Sequence, residues 1–207
     1  ALASSSDLVT LADGLFKSWY NSIHSYNAVG MGTAVLADAA TCSWGNQAMR
    51  LFGTEPRPAW DNAPNFSYAG ITDYTFSRMY SINSSATDVL TAMAGGVDFG
   101  ADAKRIEAMA KFMQGLSSGY IALVFDQGYI VDENTTGADL TSPTLVPYGD
   151  IMNHAVGKLV EAATIAKANS FSISESVINT PGGLDSDQFA QLIHAFAARF
   201  TANVART

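Results

Sequence analysis

The sequence has few charged residues, few basic residues and almost no cysteine. Cys42 is the only cysteine among 207 residues, which excludes an internal disulfide and predicts a small, buried apolar side chain. Only 14% of the residues are charged, and 19 acidic residues outnumber 11 basic ones to give a net charge of -8. Nucleic acids and anionic membrane surfaces are bound through a positive patch, so both are poor partners for this chain.

Long hydrophobic runs are also absent. The longest extends over residues 120–125, whereas a membrane-spanning helix needs roughly 20 apolar residues. The chain is nevertheless 48% hydrophobic, which argues against disorder and provides enough apolar surface for a substantial core.

Apolar residues at three-to-four spacing predict a mainly helical chain. Helices are expected at residues 7–26, 29–41, 76–93, 101–126, 148–169 and 185–204. Residues 170–181 alternate weakly and predict an extended connector. Asp185 and Gln188 form a capping-box pattern before the last helix.

The helix predicted at residues 101–126 is the longest and contains two internal glycines, Gly115 and Gly119. Each costs roughly 1 kcal/mol of helix propensity relative to alanine. A close approach by a neighbouring helix would compensate for this cost. For Gly119 we expect that neighbour to be the alanine-rich helix at residues 148–169.

The order of these elements predicts an all-α fold with little strand, in which antiparallel helices stack as in tetratricopeptide repeats. The expected organisation is a single helical domain over residues 1–207. Two long loops push the helix spacing well beyond the period of about 34 residues that a strict tetratricopeptide repeat requires. The architecture is therefore expected without the exact repeat.

The loop at residues 42–75 is unusual because it is rich in proline, glycine and aromatic residues together. Long loops are normally functional or disordered, and disordered segments contain few aromatics, so we expect this loop to be ordered. The aromatic residues are Trp44, Phe52, Trp60, Phe66, Tyr68 and Tyr74.

This aromatic loop is the best candidate for ligand binding. The apolar face of a sugar ring packs on Trp or Tyr, while nearby polar side chains bond its hydroxyls. The alternative is that these aromatics only fasten the loop to the helical body. The predicted ligand-binding residues are Trp44, Arg57, Trp60, Asp61, Asn62 and Tyr68.

Catalytic and metal-binding patterns have little support. Residues 115–119 match the G-x-S-x-G pattern of hydrolases, but Ser117 is expected inside a helix rather than on the strand-to-helix elbow that the motif requires. The three histidines lie on different helices without metal-ligand spacing. Asp132 and Glu133 are expected to be solvated loop charges; a loose calcium site shared with Asp139 or Asn134 is the minor alternative.

The chain resembles a known family from its first residues to its last, and three features carry the resemblance. A long helix ending in GYIALVFDQGYIVDE, a proline-containing loop and a second helix that opens with Tyr148-Gly-Asp-Ile151 resemble the first tetratricopeptide-type helices of SusD/RagB proteins. Members of that family are lipoproteins that cap a TonB-dependent transporter in the bacterial outer membrane and bind nutrients, usually glycans.

The resemblance implies a non-catalytic binding protein without a cofactor, with a glycan ligand and a TonB-dependent transporter as its partners. It implies a cell-surface or extracellular location, a lipid anchor upstream of Ala1, and further sequence beyond Thr207, so the chain is expected to be the N-terminal part of a longer protein. The competing function is a self-assembling structural protein of the cell surface on the same scaffold. A hydrolase is the remote alternative.

Overall fold

The computed structural model describes residues 4–43, 45–61, 63 and 65–205. It is 66% helix and 4% strand, which confirms the all-α class. The helices are α1 (Ser5–His24), α2 (Val29–Leu36), α3 (Met49–Phe52), α4 (Gly70–Ala94), α5 (Ala103–Val124), α6 (Ala138–Thr141), α7 (Tyr148–Ala168), α8 (Glu175–Ile178) and α9 (Ser186–Asn203). The strands are β1 (Gln127–Gly128), β2 (Val146–Pro147), β3 (Ser172–Ile173) and β4 (Leu184–Asp185).

Helix boundaries agree best with the predictions where the chain carries a clear local signal. Helix α7 follows Pro147, and α9 begins with the capping box of Asp185 and Gln188 that the sequence predicted. Helix α2 is shorter than predicted, and two residues after its end Asp38 adopts a left-handed backbone with φ of 55°. The connector at residues 170–181 is not simply extended, because it also contains α8.

The described chain forms two compact units. One contains the residues up to Ser18 together with Met79–Thr207, and the other is Trp19–Arg78. We call them the major unit and the aromatic unit.

Two similar helical hairpins, α5 with α7 and α7 with α9, form the part of the major unit that begins with α5. Strands β1 and β2 pair antiparallel directly between α5 and α7, and β3 and β4 do the same between α7 and α9. Each two-residue bridge therefore brings the end of one helix beside the start of the next, so consecutive helices run antiparallel. The hairpin repeats in the architecture although no strict repeat exists in the sequence.

Helix α5 is the centre of the major unit and is buried on nearly all sides. Its ideal Cβ position at Gly115 would lie 2.8 Å from the carbonyl oxygen of Ala155 in α7. At Gly119 the ideal Cβ would lie 2.1 Å from the ring of Phe200 in α9. The predicted close approaches exist, but the predicted partner of Gly119 was wrong, because Gly115 faces α7 and Gly119 faces a bulky ring of α9.

The aromatic unit has a small core of its own. Its buried residues come from α2, α3 and the start of α4, and part of the aromatic loop packs against them. Cys42 is partly buried against the same cluster. The buried members of this cluster are Val35, Ala48, Met49 and Ile71.

Candidate functional site

Trp60 lies at the centre of the predicted site and is held by two other rings. Its indole stacks on Phe52 with a centroid distance of 4.9 Å and an interplanar angle of 5°. Phe66 meets it edge-on at 5.0 Å. Trp60 also packs against the core of the aromatic unit. At least one face of the indole is therefore covered by protein, and the ring fastens the loop to the core of that unit.

Tyr68 continues this series of rings towards solvent. Its ring meets Phe66 edge-on at 5.6 Å, and 38% of the residue is exposed. We call Phe52, Trp60, Phe66 and Tyr68 the ring series. The structure therefore brings two of the predicted aromatic residues into one cluster, whereas Trp44 and Asn62 lie outside the described residues.

The two remaining predicted residues have local partners. The guanidinium of Arg57 donates to Asp38 at 2.9 Å, pairs with Glu55 at 2.9 Å and also donates to the carbonyl of Phe52. Asp61 accepts from the backbone N–H of Ala63 at 2.8 Å and is exposed. Arg57 therefore positions the loop beside the ring series, and Asp61 closes a turn while keeping a carboxylate oxygen at the surface.

Phe52 and Phe66 were missing from the predicted site although they connect its rings. The available signal was their place within the aromatic loop, but loop sequences carry no periodicity that shows which rings stack. Only the folding of α3 against the loop brings Phe52 onto Trp60.

A second polar cluster lies in the major unit, at the exit from α5. The ammonium group of Lys158 lies 2.7 Å from Asp132 Oδ2 and 3.0 Å from Glu133 Oε1. Glu133 also pairs with Lys111 and accepts from Gln114 Nε2 at 2.8 Å. The side chain of Lys158 is only 4% exposed, and those of Asp132 and Glu133 are 13% exposed. The expectation of solvated loop charges at these two positions was wrong.

The charges in this cluster stabilise one another. Burial alone raises the pKa of Glu133, but hydrogen bonds from Lys111, Gln114 and Lys158 outweigh burial and hold the pKa at about 2. Burial likewise raises the pKa of Asp132, yet the hydrogen bond from Lys158 leaves it below its ordinary value. Adjacent residues in an extended chain would point to opposite faces, so only the converging lysines of α5 and α7 bring both carboxylates together.

His154 stands one helical turn before Lys158 on α7. Its Nε2 atom is buried and has no hydrogen-bond partner among the described residues. Burial lowers the pKa of this ring, and the charge of Asp132 partly offsets the effect. His154 is therefore a half-buried ring, whereas His24 and His194 are exposed.

The hydrolase-like motif lies inside α5. Ser117 is fully buried and donates its hydroxyl to the carbonyl of Met113 at 2.7 Å. This hydrogen bond within the helix satisfies the hydroxyl group. The strained elbow that exposes a nucleophilic serine is not present at this position.

The part of the chain that the structure describes contains neither a metal-ligand cluster nor a membrane-spanning helix. No group of three or more His, Cys, Asp or Glu residues there is placed to hold a metal ion. No helix within the described ranges is both long and apolar enough to cross a membrane. No protein-family model, curated protein or solved structure matches the chain.

Proposed function

We propose that this chain is a non-catalytic binding protein of the bacterial cell surface that presents a glycan or another nutrient to a TonB-dependent outer-membrane transporter. The observation that supports binding is the ring series, which begins at the core of the aromatic unit and ends at the exposed Tyr68. The resemblance of the sequence to SusD/RagB proteins supports the cellular setting, including a lipid anchor and the transporter partner.

The ring series suits a sugar because its members differ in exposure. Trp60 is fixed by Phe52 and Phe66. These rings are therefore already ordered before a ligand arrives, which reduces the entropic cost of binding. Tyr68 offers an exposed ring with a hydroxyl group, and Asp61 offers a carboxylate for sugar hydroxyls. We therefore expect Tyr68 to contact the sugar directly and Trp60 to support the ring series from within.

Two substitutions test this division of roles. Tyr68→Ala is expected to weaken glycan binding while changing the free energy of unfolding by no more than about 0.5 kcal/mol, as for other surface changes. Trp60→Ala is expected to cost about 2–4 kcal/mol because it removes a packed aromatic side chain. Binding is measured by glycan-array titration and stability by chemical denaturation.

Tyr26→Ala is the matched control, since Tyr26 is 71% exposed in the same unit but is not a member of the ring series. It should bind glycan like the parent chain. If Tyr68→Ala also binds like the parent, the ring series is not the binding surface. If the parent chain binds no glycan on the array, the proposed glycan-binding function is wrong.

Self-assembly at the cell surface is the competing proposal, and its readout is different. A self-assembling chain would increase in mass with protein concentration in sedimentation experiments. A parent chain that binds glycan and sediments as a monomer at all concentrations would contradict this alternative.

A further inference from the structure

An open groove lies in the major unit, between the chain that leaves α5 and the chain that returns to α7. Its volume is about 380 Å³, which falls in the range of small-molecule sites. Neither the ring series nor any predicted ligand-binding residue belongs to it. The lining residues are Ile130, Asp132, Asn134, Thr135, Thr136, Asp139, Pro143, Thr144 and Val146.

One wall of the groove is held firmly to the helical body. Tyr80 of α4 accepts from the N–H of Tyr129 at 2.5 Å, and Asn83 of α4 donates to the carbonyl of Val131 at 2.7 Å. Lys158 of α7 then holds Asp132 at 2.7 Å. These three side-chain contacts, two from α4 and one from α7, hold residues 129–132 in place, so this wall is ordered before a ligand enters.

The lining chemistry indicates the class of ligand. Asn134, Thr136 and Thr144 provide amide and hydroxyl groups, while Ile130 and Val146 provide apolar surface. Thr136 and Thr144 form no hydrogen bond with another described residue, so their hydroxyl groups remain able to donate and accept. This combination fits a sugar, which has hydroxyl groups at its edge and C–H groups on its faces.

Charged ligands fit the groove less well. None of its lining residues is a lysine or arginine, so an anion would find no countercharge. Asp132 is already paired with Lys158, which leaves Asp139 as the remaining carboxylate of the lining. One such carboxylate is too few for the six to eight oxygen ligands, several of them charged, that calcium usually takes.

We propose that this groove is a second carbohydrate subsite, which binds the hydroxyl edge of a neutral sugar unit. The inference rests on the proposed function of glycan binding and adds a site in the major unit to the ring series of the aromatic unit. A chain with both subsites would have two separate places at which a sugar can bind.

Amide chemical-shift mapping by NMR of the whole chain tests the groove directly. The probes are D-glucose, D-galactose, D-mannose and D-xylose, each added in millimolar excess. At least one sugar is expected to shift the backbone amides of residues 130–136 and 144–146. The double substitution Thr136→Val/Thr144→Val should weaken the binding of that sugar about tenfold, since two hydrogen-bonding hydroxyl groups are lost.

Thr164→Val is the matched control, because among the described residues the hydroxyl of Thr164 bonds only to the carbonyl of Val160 in its own helix. This variant should bind like the parent chain. Unchanged binding by the double variant, or sugar-induced shifts confined to the aromatic unit, would overturn the groove proposal and leave the proposed function standing.

Two further outcomes separate the remaining explanations. Shifts at the groove with calcium chloride but with none of the sugars would replace the sugar subsite by a cation site. If no sugar shifts any amide and the glycan array is also negative, the proposed function and the groove proposal both fail.

Discussion

At the scale of single residues, Gly119 is the position with the least room for a side chain. An added Cβ would lie 2.1 Å from the ring of Phe200, and that buried ring belongs to the packed face of α9. We expect Gly119→Ala to cost about 1–3 kcal/mol of unfolding free energy, because a well-packed core has to shift to accept extra volume. Thermal and chemical denaturation measure this change.

Gly157 is the matched control for Gly119. It also lies inside a helix, but no atom lies within 4 Å of its ideal Cβ. Gly157→Ala should therefore stabilise the chain by up to about 1 kcal/mol through helix propensity alone. Equal melting temperatures for the two variants would show that the contact between Gly119 and Phe200 is absent in solution.

At the scale of secondary-structure elements, α9 depends on its first turn. The Asp185 side chain accepts from the Gln188 N–H at 2.8 Å, and the Gln188 side chain accepts from the Asp185 N–H at 3.0 Å. Asp185→Ala should destabilise the chain by about 1 kcal/mol, the usual cost of losing an N-cap. Asp185→Asn keeps a capping oxygen and should recover most of the loss; equal losses in the two variants would contradict the capping role.

At the scale of the whole molecule, low pH should weaken the contact between the segment that follows α5, which contains Asp132 and Glu133, and helices α5 and α7. The pKa of Glu133 is about 2 in the folded chain, below its ordinary value of 4.5. A lowered pKa means that the stabilisation is complete above the ordinary value and is lost as the pH falls from there towards about 2. Allowing for partial solvent screening, we expect Glu133 to contribute about 1–2 kcal/mol to this loss.

Unfolding free energy measured across this acid range checks the expectation. Glu133→Gln removes the titrating group, so the acid-dependent loss should become smaller, although the variant is less stable near neutral pH because Lys111 and Lys158 lose a partner. Glu107→Gln is the control, since Glu107 pairs with the exposed Lys104 and with no other described residue. An identical acid dependence in the parent and in Glu133→Gln would refute the assigned role of Glu133.

The sequence by itself determined the long helices, because apolar periodicity and capping residues are local signals. The residues that form α5, α7 and the Asp185 cap could all be recognised from a few neighbouring positions. The presence of close contacts at Gly115 and Gly119 was also predictable, because glycine inside a helix lowers its stability unless a close contact compensates.

Only the tertiary structure decided which groups meet across the chain. Phe200 lies about 80 residues after Gly119, and Lys158 lies 25 residues after Glu133, and no spacing rule connects such pairs. The same holds for Phe52 on Trp60, where a short helix and a loop without periodicity pack together. Long-range contacts depend on how amphipathic faces pack as a whole, so the partners of Gly119 and Glu133 became visible only when α5, α7 and α9 were assembled.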